Sequence, residues 1–172
     1  MRQPVLILLT GLALAAAACA TVEPTVSGAS GGGPAGSDAA PVPITGHDWF
    51  FHQDDAEARL VYGLAESDDM RLALDCTRAS GRLVLSALGG PKAKPEIHVD
   101  SGGETARFRA LSEPSQLHDG VFLTAEAAAD APVFQRFRRL GWMALWQASA
   151  REAYAPQPGS TPNIERFFAF CG

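Results

Sequence analysis

The chain has 172 residues, 47% hydrophobic and 19% charged, with a formal net charge of -5. This length is that of one compact domain with appended ends. The acidic balance argues against nucleic-acid binding, which draws on a basic excess.

Arg2 precedes an apolar run from Val5 to Ala18, interrupted only by Thr10 and Gly11. Spanning a bilayer takes about 20 apolar residues. The shorter run reads as the h-region of a secretory signal peptide over residues 1–18. The small residues Ala15 to Ala18, then Cys19, resemble a bacterial lipobox, with Ala16 in the place usually held by Leu. That resemblance implies an acylated Cys19 as the first mature residue. Two or more acyl chains give stable anchoring, where one is marginal. Ala20 resembles the sorting pattern for the Gram-negative outer membrane. The alternative is cleavage at Ala18-Cys19-Ala20, which discards Cys19 and releases a soluble protein.

Residues 19–45 change character. Pro24, Pro34, Pro41 and Pro43 alternate with Gly28, Gly31, Gly32, Gly33 and Gly36 among small residues. Such a stretch buries too little apolar surface to offset its ordering entropy, so it reads as a flexible tether. Its glycine triplet lacks the preceding strand and the Gly-Lys-Ser/Thr ending of a phosphate loop.

Residues 46–172 read as a single β-rich domain. Asp48–His52 and Arg59–Leu64 have strand composition. Arg71–Thr77 alternates, placing Leu72, Leu74 and Cys76 on one face. Ser80-Gly81 turns it into Arg82–Leu88, forming a hairpin. Gly89 to Pro95 is a loop carrying Lys92 and Lys94. Glu96–Asp100 points Ile97 and Val99 inward and His98 outward. Ser101-Gly102-Gly103-Glu104 turns it into Thr105–Leu111. Asp119-Gly120 opens Val121–Ala125, and Trp142–Trp146 is a further strand. A helix starts near Asp130 and Pro132, presents Val133, Phe137 and Leu140, and closes at Gly141. A second, capped by Ser160 or Thr161 with Pro162 in its first turn, presents Ile164, Phe167, Phe168 and Cys171. The expectation is a mainly β fold: an antiparallel barrel or sandwich of about seven to eight strands with two short helices.

Removal or acylation of Cys19 leaves Cys76 and Cys171. An even pair in an oxidising compartment points to a disulfide. Neither thiol has a nearby His or a Cys-x-x-Cys partner, and no zinc-type spacing is present.

The chemistry-bearing residues are scattered. His47 and His52 lie among Asp48, Asp54 and Asp55, but their spacing fits neither one helical face nor one strand face. His98 stands between Glu96 and Asp100 on a strand face that reads as solvated. His118 has no sequence partner. No nucleophile motif, metal set or cofactor motif is present. Arg136, Arg138 and Arg139 interleave with Phe137. The arginines suit the solvated end of the helix, or an anion patch for an acidic envelope partner.

Several short runs resemble a family of small alphaproteobacterial envelope lipoproteins with no known activity. They are Tyr62-Gly63, Glu66-Ser67-Asp68, Leu74-Asp75-Cys76, Phe134 to Gly141 and Ile164 to Cys171. The resemblance implies the β domain and the paired cysteines. In plan the chain also looks like the small lipoprotein inhibitors of lysozyme, without their inhibitory loop motif. The leading expectation is a lipid-anchored, non-catalytic envelope protein that binds or scaffolds a periplasmic protein or anionic envelope component. Inhibition of an envelope hydrolase and a small periplasmic hydrolase are the alternatives. A surface without a cleft suits the first, a protruding Gly89–Pro95 loop the second, and a pocket converging on His98 and a carboxylate the third.

Overall fold

A computed structural model describes residues 38–116 and 118–172. The expected signal peptide, Cys19 and most of the expected tether lie outside the described residues.

Ten strands and two helices follow in order: β1 (His47–Gln53), β2 (Glu57–Leu64), β3 (Met70–Thr77), β4 (Arg82–Gly89), β5 (Glu96–Ser101), β6 (Glu104–Arg109), β7 (Leu111–Pro114), β8 (Val121–Ala128), α1 (Pro132–Leu140), β9 (Met143–Gln147), β10 (Ala150–Tyr154) and α2 (Thr161–Cys171). They form a six-stranded sheet, β1-β2-β3-β4-β8-β7, and a four-stranded sheet, β10-β9-β5-β6. All strand pairs are antiparallel. The sheets are not closed into a barrel, and the fold is a sandwich.

Alternation builds the larger sheet. Ala58, Leu60 and Tyr62 of β2, Leu72, Leu74 and Cys76 of β3, and Leu83, Leu85 and Ala87 of β4 are all buried on its inner face. The helices fill the layer between the sheets. Strand β1 packs against α2, β5 packs against α1, and the helices touch each other. Aromatic rings join these parts: Trp49 to Phe137 at 4.9 Å, Phe137 edge-on to Phe168 at 5.9 Å, and Phe108 stacked on Phe134 at 5.5 Å. The Trp49 indole N–H donates to the Tyr154 carbonyl at 3.3 Å, tying the outer strand of one sheet to that of the other.

Helix α1 stops where expected. Gly141 takes φ 80° and returns its N–H to the Phe137 carbonyl, a left-handed end that costs glycine little. Its start is Ala131 rather than Asp130, with no side-chain cap, and Pro132 in the first turn stiffens it. Helix α2 begins after Ser160, whose hydroxyl donates to Asp48 instead of capping the helix. The expected stripe of Ile164, Phe167, Phe168 and Cys171 is buried. Cys171 is bonded to Cys76 of β3, with Cα atoms 5.9 Å apart and 95 residues of chain between them.

Two elements differ from the sequence expectation. The single strand expected over Thr105–Leu111 is divided at Ala110. Its first part belongs to the small sheet, while Leu111–Pro114 pairs with β8 in the large one. A strand that crosses between layers must bend, because the two sheets face opposite sides of the core. The second difference is β10, which makes a tight hairpin with β9, Gln147 pairing with Ala150. These two divisions bring the strand number above the seven to eight expected.

Candidate functional site

The outer face of the small sheet is not flat. Cross-strand pairing aligns Arg151, Trp146, His98 and Arg107 in one row across β10, β9, β5 and β6. His98 and Trp146 stack with ring centres 5.6 Å apart and planes inclined by 13°. Such offset ring pairs add to the stabilisation from burial alone.

The adjacent row explains why these rings are held. Asp100 is 2% exposed, although its place in the alternation gives it to the outer face. Both of its oxygens engage Arg151, which donates from Nε at 2.8 Å and from Nη2 at 2.7 Å. The Trp146 indole N–H donates to the same carboxylate at 2.5 Å. Trp142, Ala144, Ala153 and Ala155 form a small second core on this side, with Leu140 packed against it. The face expected to be solvated is therefore partly covered, and a fork-shaped charge pair fixes the indole from behind.

Beside the ring pair lies a cleft of about 710 Å³, bounded by the β4–β5 loop, the start of β5 and the β9–β10 turn. This lies within the range of small-molecule sites. Leu88, Ala93, Leu123, Leu145 and the Trp146 ring supply apolar lining. Gln147 reaches across from β9 and donates to the Leu88 carbonyl at 2.8 Å, linking the two sheets beside the cleft. Ala148, at the rim, has φ 54°, a left-handed conformation that non-glycine residues adopt at a cost.

The loop itself is held from below. Its Ala93 N–H donates to the Gly90 carbonyl at 2.9 Å. The Ala110 N–H donates to the Pro95 carbonyl at 2.9 Å. Gly120 lies against it, since a Cβ there would stand 2.3 Å from the Gly89 carbonyl oxygen.

The charge of the lining is one-sided. Lys92, Lys94 and Arg107 are the cations, and Glu96 is the carboxylate, bound to Arg107 at 2.8 Å. Lys92 and Lys94 are the two lysines of the whole chain. Both are exposed, and among the described residues neither has a carboxylate partner. Burial, and then the nearby Arg107 charge, holds the His98 imidazole below its ordinary value despite Asp100 and Glu96. This shift favours the neutral ring, and the cleft presents basic groups on an acidic protein.

The other sequence candidates do not converge here. Arg136 pairs with Asp38 and donates to the Gly102 carbonyl at 3.0 Å. Arg138 makes a forked pair with Glu165, joining α1 to α2; this raises the Arg138 pKa and lowers that of Glu165. Arg139 is exposed. The three arginines thus have separate surroundings, and two of them hold the fold together. His47 faces Asp69 at 3.2 Å, while His52 pairs in register with Arg59 on the large sheet. Asp48 accepts from the Gln157 N–H, and Asp54 accepts the Ala56 and Glu57 N–H groups of the β1–β2 turn. His118 lies next to Gly120. Among the described residues no three His, Cys, Asp or Glu side chains are grouped to hold a metal ion.

The chain matches no family model, no curated protein and no solved structure. A pocket with His98 and a carboxylate is the feature that suits a hydrolase. Here, however, Glu96 is tied to Arg107, His98 is stacked on Trp146, and no hydroxyl or thiol side chain is among the lining residues. The Gly89–Pro95 loop forms a wall of the cleft.

Proposed function

We propose that this is a lipid-anchored envelope protein whose folded domain binds a partner without catalysis, through the cleft on the small sheet. The observation that carries the reading is the placement of both lysines and Arg107 around a cleft with apolar and aromatic lining. Attached positive charge and a rigid ring pair select an anionic group by electrostatics and shape. The signal-like run, the lipobox-like Cys19 and the resemblance to alphaproteobacterial lipoproteins support an envelope location. The Cys76–Cys171 bond is in keeping with an oxidising compartment.

The test uses the full-length chain in intact cells of a Gram-negative host. A photo-cross-linking residue replaces Lys94 at the cleft, and in a second strain replaces Glu113 on the large sheet. The reading expects an adduct from position 94 and none from 113. Adducts from both positions alike, or from 113 alone, would contradict it. The mass of the mature N-terminus tests the anchor: an acylated Cys19 is expected, and a chain that starts beyond it would refute the anchoring.

A further inference from the structure

We propose that the cleft holds a single amphiphile with an anionic end, its alkyl chain along the apolar wall and its phosphate or carboxylate between Lys92, Lys94 and Arg107. This rests on the binding reading above and names the ligand class.

Three observations carry it. First, the lining of the cleft combines apolar and charged groups. Leu88, Ala93, Leu123 and Trp146 supply the apolar part, and the lysine ammonium groups stand on the exposed loop. A ligand that is polar throughout would leave the apolar part unmatched. An uncharged hydrophobe would leave the cations without a counter-ion. Second, the cations are available. Arg107 keeps donors beyond the one given to Glu96 at 2.8 Å. Neither lysine has a carboxylate partner among the described residues. Third, the Gln147–Leu88 hydrogen bond joins the two sheets beside the cleft, and a volume of about 710 Å³ suits one small molecule.

The same chemistry could come from a monomeric amphiphile or from the surface of an anionic bilayer. The apolar residues line a cleft bounded by the β4–β5 loop and the β9–β10 turn, so an alkyl chain leaves the bilayer to reach them, and the monomeric source is the one proposed.

Trp146 is the natural reporter, because Trp49 and Trp142 are 0% and 1% exposed. The disulfide-bonded protein, with its anchor cysteine replaced by Ser, is titrated with decyl phosphate below its micelle concentration. Fluorescence and native mass spectrometry are read together. Inorganic phosphate, uncharged decyl maltoside and anionic phospholipid vesicles are the comparison arms. The proposal expects saturable one-to-one binding of decyl phosphate and at least tenfold weaker binding of decyl maltoside. Inorganic phosphate should give no response at equal concentration. The exposed double variant K92E/K94E should keep its melting temperature and bind decyl phosphate at least tenfold more weakly.

Equal binding of the uncharged amphiphile, equal binding of inorganic phosphate, binding to vesicles alone, or full affinity in K92E/K94E would each overturn the proposal. If decyl phosphate fails while position 94 still cross-links in the envelope, the ligand class is wrong and the cleft reading stands. If the cross-link also fails, both are wrong.

Discussion

Asp100→Ala tests how the ring pair beside the cleft is held. The side chains of Asp100 and Arg151 are 3% and 8% exposed, and they meet at 2.7 Å. Removing the carboxylate takes the forked acceptor from the buried guanidinium and the acceptor from the Trp146 indole. Breaking a buried pair from one side costs about 3–5 kcal/mol, because the surviving charge stays desolvated. For a domain of this size each kcal/mol is about 3–4 °C of melting temperature, so Asp100→Ala should melt roughly 10–20 °C lower. The assay is thermal and urea unfolding of the disulfide-bonded domain, with Asp100→Ala, Arg151→Met and the double variant as a cycle. The double variant should cost clearly less than the two single losses together, with a coupling of about 2 kcal/mol or more. Trp146 anisotropy should fall in Asp100→Ala at temperatures where the variant is still folded. A loss below about 1 kcal/mol would show that the pair behaves as a solvated one, and that the indole is held by other means.

Further outcomes follow from the same geometry. Replacing Cys76 and Cys171 together by Ser opens a loop of 95 residues, and the chain-entropy argument gives a loss of about 4–5 kcal/mol; urea midpoints of the variant and the parent check it. The His98 pKa lies below the ordinary histidine value of 6.5, so the unfolded chain binds more protons than the folded one between the folded value and 6.5. That part of the stability is complete above 6.5 and is lost as pH falls through this window. Melting temperature measured from pH 8 down to 5 should therefore drop more steeply for the parent than for His98→Gln; parallel profiles would contradict the lowered pKa of the half-buried ring. Gly120→Ala sets a methyl against the Gly89 carbonyl, and overpacking of this kind costs about 1–3 kcal/mol. It should also shift the amide resonances of residues 89–95, and an undisturbed loop would refute the support assigned to Gly120.

Much of the sandwich was legible because half-buried strands write their burial into alternation. Leu72, Leu74 and Cys76 of β3 and Ile97 and Val99 of β5 are buried as their period of two implies. The turns at Gly81 and Gly102 take positive φ, where glycine is the favoured residue. Strand β10 was hidden because Ala150, Arg151, Glu152 and Ala153 offer no apolar alternation, and its order comes from pairing with β9. Missing β10 also hid Arg151, and without Arg151 the Asp100 side chain reads as a solvated acid. The site was legible only in pieces. The alternation of β5 points His98 outward, and the Gly and Pro residues around Lys92 and Lys94 mark a loop. The row that joins His98 to Trp146 and Arg107 depends on the register of three strands, which no local pattern encodes. For Arg136 and Arg138 the local pattern leaves the partners out. Their basic and aromatic interleaving is the pattern of an amphipathic helix, and their partners Asp38 and Glu165 lie far away in sequence.

Amide hydrogen exchange is the sharpest check of the cleft reading, comparing the full-length chain in isolated native envelopes with the same chain purified in detergent. The account predicts added protection in the envelope over residues 89–98 and 145–148, lost in K92E/K94E. Protection on the large sheet away from the cleft, over 59–61, 84–86 and 111–113, with none at the cleft, would contradict it.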